Sequence, residues 1–172
     1  MQMFLACLSA GAVGLDYSPC IYQQQRIDCS NTNALQVLDA FHRNANNTAV
    51  TSLHLQYVAG MTDAILDEIL HIIASSALEH FQEVSVDSLE KIEKIPAIIE
   101  HFPNLRLLYF MYNQKMKILP TGSLNFKSSG LQTIDCSFCE LELIEPGAFH
   151  GTRLGCFTSI SRGSISMPKA IS

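Results

Sequence analysis

The sequence predicts an α/β fold in which short parallel strands recur along the chain and stack into a solenoid. The first observation is an apolar frame, Leu-x-x-Leu-x-Leu, and the second is its even spacing. The frame occurs at residues 105–110, 131–136, 81–86 and, less closely, 50–55. Its fourth position advances from Val84 to Leu108 and then to Ile134, in steps of about 24 and 26 residues. Each such unit buries its apolar face only against its neighbour, so the frame predicts one continuous core.

These steps are typical of leucine-rich repeats. The interval from Leu53 to Val84 is longer, about 31 residues, which indicates an insertion or a distinct capping unit there. We therefore expect a short leucine-rich repeat solenoid of about four repeats. Its strands should form a concave side, and helices or irregular turns should form the convex side.

Length and composition set the outer limits. The 172 residues suit one domain with a single core. Hydrophobic residues make up 48% of the chain and charged residues 16%, which is a folding composition. The formal charge of -5 argues against nucleic-acid binding, which normally needs a basic patch. No stretch is long and apolar enough to predict a transmembrane span.

Residues 1–14 resemble a secretory signal peptide. Residues 4–8 are apolar, and Ala10-x-Ala12 or Ala12-x-Gly14 suits cleavage after a small residue. No Lys or Arg precedes the apolar run, so either the signal is minimal or the true start lies upstream. The expectation is a secreted, extracellular protein.

Cysteine usage agrees with secretion. The chain has six cysteines, at positions 7, 20, 29, 136, 139 and 156. Removal of the signal would leave five. We expect a Cys20–Cys29 disulfide, rather than two free thiols, to pin an N-terminal capping flank at 15–48. The same compartment permits N-glycosylation of Asn46, in Asn46-Asn47-Thr48.

The elements follow in order along the chain. Residues 34–41 have helical apolar spacing inside the flank. Residues 50–55 alternate as the first strand of the repeat region, which spans 49–160. Thr62 and Asp63 offer caps for a helix over 64–73, which accounts for the long first repeat.

Later repeats add turn chemistry. Asn113 stands three residues beyond Phe110, where this kind of repeat uses Asn to bond backbone groups, and Cys139 occupies the equivalent position. The segment at 118–124 matches the one at 144–149, whose Pro-Gly turn should bring Phe149 to the core. Residues 154–159 resemble the stub of a fifth strand.

The tail at 161–172 is irregular and has no capping motif. An array that stops without a cap exposes its last apolar unit. We therefore expect the chain to be a fragment of a longer repeat protein.

Motifs with chemical meaning are few. Cys136-x-x-Cys139 lacks a second ligand pair for zinc and the context for thioredoxin-like chemistry, so we expect two buried thiols. Glu68-x-x-His71 has di-iron spacing but no matching partners, which favours a solvated helix face. Phosphate loops, nucleophile elbows and zincin motifs are absent from the sequence. We expect no catalytic residues, no metal and no cofactor.

The outward strand positions are the candidate surface for a protein partner, with a plain solvated face as the alternative. The chosen positions are His54, Ser85, Asp87, Arg106, Tyr109, Met111, Thr133 and Asp135. Arg and Tyr are enriched in binding hot spots.

The phrases at 119–124 and 144–151 are typical of secreted and cell-surface leucine-rich repeat proteins, and that resemblance covers about residues 50–151. With the Cys20/Cys29 flank, the chain is similar to arthropod proteins described as the non-catalytic subunit of Oplophorus-luciferin 2-monooxygenase. The resemblance implies an accessory chain without catalytic machinery. The leading expectation is a secreted, non-enzymatic module for protein recognition. The alternatives are an accessory subunit that stabilises an enzyme partner, and a truncated product without function.

Overall fold

The computed structural model describes residues 15–124, 131–149 and 156–157. It is a mixed α/β fold with a mostly parallel sheet, two α-helices and one 3-10 helix. The strands are β1 (Ile21–Gln23), β2 (Arg26–Ser30), β3 (Ser52–Gln56), β4 (Glu83–Asp87), β5 (Leu107–Met111), β6 (Ile118–Leu119), β7 (Thr133–Asp135), β8 (Leu143–Ile144) and β9 (Cys156–Phe157). The helices are α1 (Ala34–Arg43), α2 (Asp63–Ala77) and the 3-10 helix Ala97–His101. The predicted signal peptide and the tail at 161–172 lie outside the described residues.

The main sheet has seven strands, in the order β1-β2-β3-β4-β5-β7-β9. Strand β1 runs antiparallel to β2, whereas every later pairing is parallel. The spatial order of these strands is therefore the same as their order along the chain. Parallel neighbours need a crossover connection, and α1 and α2 supply the first two.

The predicted alignment of the frame is confirmed. Leu53 is in register with Val84, Val84 with Leu108, and Leu108 with Ile134. The column also begins one strand earlier than predicted, because Ile27 in β2 is in register with Leu53. A second core column, two positions further on, joins Cys29, Leu55, Val86 and Phe110.

Both helices begin where side chains can cap them. The Asn33 side chain accepts a hydrogen bond from the Leu35 amide at 2.9 Å, and Thr62 accepts one from the Ile65 amide at 3.4 Å. The cap predicted at Thr62 is confirmed, although α2 runs four residues beyond the predicted end. Its buried residues are Leu66, Ile69, Leu70, Ile73 and Ala77. Helix α1 packs against α2, and α2 packs against the 3-10 helix.

Asn113 behaves as its position predicts. Its side chain is fully buried, donates to the Val86 carbonyl at 2.9 Å and accepts from the Leu89 amide at 3.0 Å. Both backbone groups lie in β4 or just after it, so one side chain joins the ends of β4 and β5. In the equivalent position, the Cys139 thiol donates to the Phe110 carbonyl at 2.8 Å.

The second sheet pairs β6 with β8, so the two matched segments lie side by side. The Leu124 amide donates to the Ala148 carbonyl at 2.9 Å. Phe149 reaches the core only in part: Ala148 is the fully buried residue and Phe149 packs partly buried beside it.

The N-terminal end of the fold carries the predicted disulfide between Cys20 and Cys29. Cys29 belongs to the second core column, and Tyr17 packs edge-on against Phe41 of α1, with ring centroids 5.4 Å apart. The bond therefore fastens the flank directly to the sheet.

Candidate functional site: the outer face of the parallel sheet

One face of the main sheet buries the two core columns, and the other carries polar, charged and aromatic side chains. We call this second surface the outer face. Its central column runs across the strands as Asp28, His54, Ser85, Tyr109 and Asp135. The flanking columns are Arg26, Ser52, Glu83, Leu107 and Thr133 on one side, and Ser30, Gln56, Asp87 and Met111 on the other. The alternation of strand side chains places all of them opposite the core.

The outer face is indented at its centre. A depression of about 380 Å³ is lined by residues of β2, β3, β4 and β5. Its floor includes Ser85, the smallest side chain of the central column, between His54 and Tyr109. Only 8% of Ser85 is exposed, because its larger neighbours cover it. The volume lies within the usual range of ligand sites.

His54 is held between two charged groups. Arg26 Nη2 donates to His54 Nδ1 at 2.9 Å, and since a guanidinium cannot accept, the imidazole proton must reside on Nε2. Glu83 Oε1 lies 2.9 Å from Nε2, although the angle does not suit a hydrogen bond. Burial lowers the pKa of His54 below its usual 6.5, and Arg26 acts in the same direction, while Glu83 opposes them. The ring is thus neutral at neutral pH.

The carboxylates around the depression are held by neighbouring donors. Asp87 accepts from Gln56 Nε2 at 3.0 Å and from the Ser88 hydroxyl at 2.7 Å. Asp28 accepts from the Ser30 hydroxyl at 2.9 Å and from Arg26 at 3.4 Å. These contacts fix the positions of the acidic groups before any ligand arrives.

Tyr109 forms the opposite wall. Burial raises the pKa of its phenol, and the nearby Glu83 and Asp135 carboxylates raise it further. The phenol is therefore neutral at neutral pH and presents an aromatic ring beside acidic groups.

The predicted surface residues divide into groups. His54, Ser85, Asp87, Tyr109 and Met111 line the central depression. Arg106 lies in a neighbouring depression of about 240 Å³ and donates to Gln132 Oε1 at 3.1 Å. Thr133 and Asp135 continue the outer face on β7, where Asp135 Oδ1 accepts from the Ser137 amide at 2.8 Å.

The prediction missed the contribution of β2. Arg26, Asp28 and Ser30 all line the depression, although the sequence predicts only a capping flank at 15–48. The signal was present, because Ile27 and Cys29 alternate with these polar residues as in a half-buried strand.

An aromatic edge also escaped prediction. Tyr57, Tyr112 and Phe138 each follow a strand of the series and have φ of 51°, 55° and 59°, in the left-handed region. All three are about half exposed, and the rings of Tyr112 and Phe138 stack with centroids 4.4 Å apart. Bulky residues rarely adopt this conformation, which costs on the order of 1 kcal/mol each.

Asn46 is exposed, whereas the next residue, Asn47, is buried and its Nδ2 donates to the Tyr17 hydroxyl at 3.2 Å. The acceptor of the predicted glycan is therefore on the surface.

The other candidate chemistry is placed as follows. Cys136 and Cys139 are buried free thiols, and burial raises the pKa of Cys136 strongly and that of Cys139 to about 11. Glu68 meets His42 of α1, with Oε1 and Nε2 3.0 Å apart. The described part of the chain contains no cluster of three or more His, Cys, Asp or Glu able to hold a metal ion.

Across the described residues, no helix is both long and apolar enough to cross a membrane.

No family model, curated protein or solved structure matches the chain.

Proposed function

We propose that this chain is an extracellular, non-enzymatic leucine-rich repeat module that binds a protein partner on its outer face. The observation that carries the proposal is the contrast between the two faces of one sheet. One face is closed by apolar columns, and the other presents fixed charges and an aromatic wall around a depression. Such broad, mixed polar and aromatic surfaces suit protein recognition.

The repeat assignment is supported by the order of the strands. Parallel strands follow one another in chain order, and register partners are separated by about 24 to 31 residues. The hydrogen bonds of Asn113 to the preceding repeat provide a second, independent support.

The extracellular assignment is supported by the disulfide between Cys20 and Cys29 and by the exposure of Asn46. Disulfides persist in oxidising compartments and are rare in reducing ones.

One juxtaposition raises serine hydrolysis as a competing function. Asp28, His54 and Ser85 are direct neighbours across β2, β3 and β4. A triad needs the carboxylate on one imidazole nitrogen and the serine hydroxyl on the other. Here Nδ1 accepts from Arg26 and Nε2 faces Glu83, so the ring is held away from both roles. This arrangement supports binding rather than acyl transfer.

Photo-crosslinking tests the proposal. A benzoylphenylalanine at position 109 reports the outer face, and one at position 35, an exposed residue of α1, serves as control. We expect position 109, but not position 35, to capture one protein from extracellular fluid of the source organism. Equal capture at both positions, or none at 109, contradicts the proposal. Capture of an enzyme that loses stability without this chain supports the accessory-subunit alternative.

A fluorophosphonate probe addresses the hydrolase. We expect no labelling of the purified chain. Labelling that disappears in Ser85→Ala would overturn the non-enzymatic assignment.

A further inference from the structure

We infer that the central depression of the outer face receives a positively charged side chain, lysine or arginine, of the protein partner. The inference rests on the proposed function and specifies the chemistry of its anchor.

Charge is the first argument. Asp28, Glu83 and Asp87 line the depression together with one cation, Arg26. With His54 neutral, three carboxylates against one guanidinium leave a net charge of -2. Arg26 is already engaged by Asp28 and His54, so its charge is largely satisfied inside the wall. A concave surface of one sign concentrates ligands of the opposite sign.

Ser85 gives a second, independent argument. The residue is more than nine-tenths buried, and its hydroxyl has no hydrogen-bond partner among the described residues. The hydroxyl oxygen is not itself sealed from solvent, so a polar ligand group that enters the depression can reach it on the floor. A hydroxyl oxygen accepts readily from an ammonium or a guanidinium.

The walls fit the same ligand. Tyr109 presents an aromatic ring, and Met111 presents a thioether at the end of the same strand. Cations bind favourably over aromatic faces, and the long apolar stem of Lys or Arg packs well against Met and Tyr. A bound anion would meet three carboxylates, and a neutral ligand would leave their charge unused.

The test uses two short peptides, Ac-Gly-Arg-Gly-NH2 and its citrulline analogue. Citrulline keeps the size of arginine but removes its charge. We expect the arginine peptide to shift the amide NMR signals of Ser85 and Tyr109 at millimolar concentration in low salt. The citrulline peptide should bind at least about tenfold more weakly, because a charge-assisted hydrogen bond is replaced by a neutral one. A matching lysine peptide shows whether the depression prefers lysine or arginine. Its binding should shift the same amide signals, those of Ser85 and Tyr109.

Variants locate the site. Asp87→Asn should weaken the arginine peptide about tenfold, and Ser85→Val, which fills the floor, should abolish its shifts. Asp67→Asn removes the same charge from a partly exposed side chain of α2, outside the outer face, and should change binding less than about twofold, because screening weakens a distant charge. Equal affinity for arginine and citrulline, no binding of the arginine peptide, or equal effects of the two aspartate variants overturns the inference.

The two proposals fail separately. If crosslinking at position 109 captures a partner but the peptide arms fail, the binding face stands without a cationic anchor. If the arginine peptide binds selectively but position 109 captures nothing, the anchor site stands and protein recognition does not.

Discussion

The two faces of the sheet share one backbone but differ in the burial and the chemical type of their side chains. Leu108 and Tyr109 are consecutive in β5, yet Leu108 belongs to a fully buried column and Tyr109 to the wall of a depression. On the core face, apolar groups recur in register, and one polar residue, Asn113, satisfies two backbone groups. On the outer face, the central column mixes acidic, imidazole, hydroxyl and phenol side chains, and only aspartate recurs, at Asp28 and Asp135. The apolar side chains that stabilise the fold are therefore concentrated on one face, and the varied polar and aromatic side chains on the other.

The difference between the two faces is tested most directly by replacing two neighbouring leucines, one on each face. Leu108→Ala removes a fully buried side chain and should lower the free energy of unfolding by about 2 to 5 kcal/mol. Leu107→Ala alters a partly exposed leucine of the outer face and should lower it at least about 1 kcal/mol less. Urea unfolding followed by circular dichroism measures both. Equal losses would mean that the faces are not distinct.

Asn113→Ala should come next. It leaves the Leu89 amide and the Val86 carbonyl unpaired and buried, for a loss of about 2 to 4 kcal/mol. Asn104→Ala is the control, since Asn104 is exposed and its side chain makes one bond, to the Glu79 carbonyl at 2.8 Å. A loss near 0.5 kcal/mol is expected there. The same urea experiment compares them, and similar losses would show that Asn113 does not stabilise the link between the ends of β4 and β5.

Breaking the Cys20–Cys29 bond should lower stability by about 2 to 3 kcal/mol, because it frees a short loop with a sequence separation of 9. Thermal melts with and without a reducing thiol measure this. Reduction should not change the Tm of the Cys20→Ser/Cys29→Ser variant. A reductant effect that persists in that variant would point to other cysteines.

The smallest expected effect is a pH dependence on the outer face. Because the folded pKa of His54 lies below 6.5, the unfolded chain binds more protons between the two values. Stability should therefore be highest above pH 6.5 and fall on acidification through the folded pKa. The groups facing His54 are Arg26 and Asp28 on β2 and Glu83 on β4. His54→Gln should flatten this part of the unfolding-versus-pH curve, and an unchanged curve would exclude His54 as its source.

The core face could be predicted because its information is local and periodic. The strand spacing can be read from the sequence because the register partners are all large apolar residues at regular intervals: Leu53, Val84, Leu108 and Ile134. The cap at Thr62 and the bonds of Asn113 follow from similarly local rules.

The outer face could be predicted only as a set of positions. The contact of Arg26 with His54 depends on the register of β2 against β3, which the connection through α1 fixes. The burial of Ser85 depends on the sizes of its neighbours on two other strands. Both properties depend on residues that are distant in the sequence, so no short segment predicts them.

The reversal of β1 makes the two sides of the array unequal. Among the described strands, the sheet ends on one side in β1, which runs against its neighbour, and on the other in β9, which runs parallel to its neighbour. A further strand that continues the parallel series would therefore pair with β9. For protein engineering, grafted units belong on that side, whereas β1 should be kept as a fixed stop.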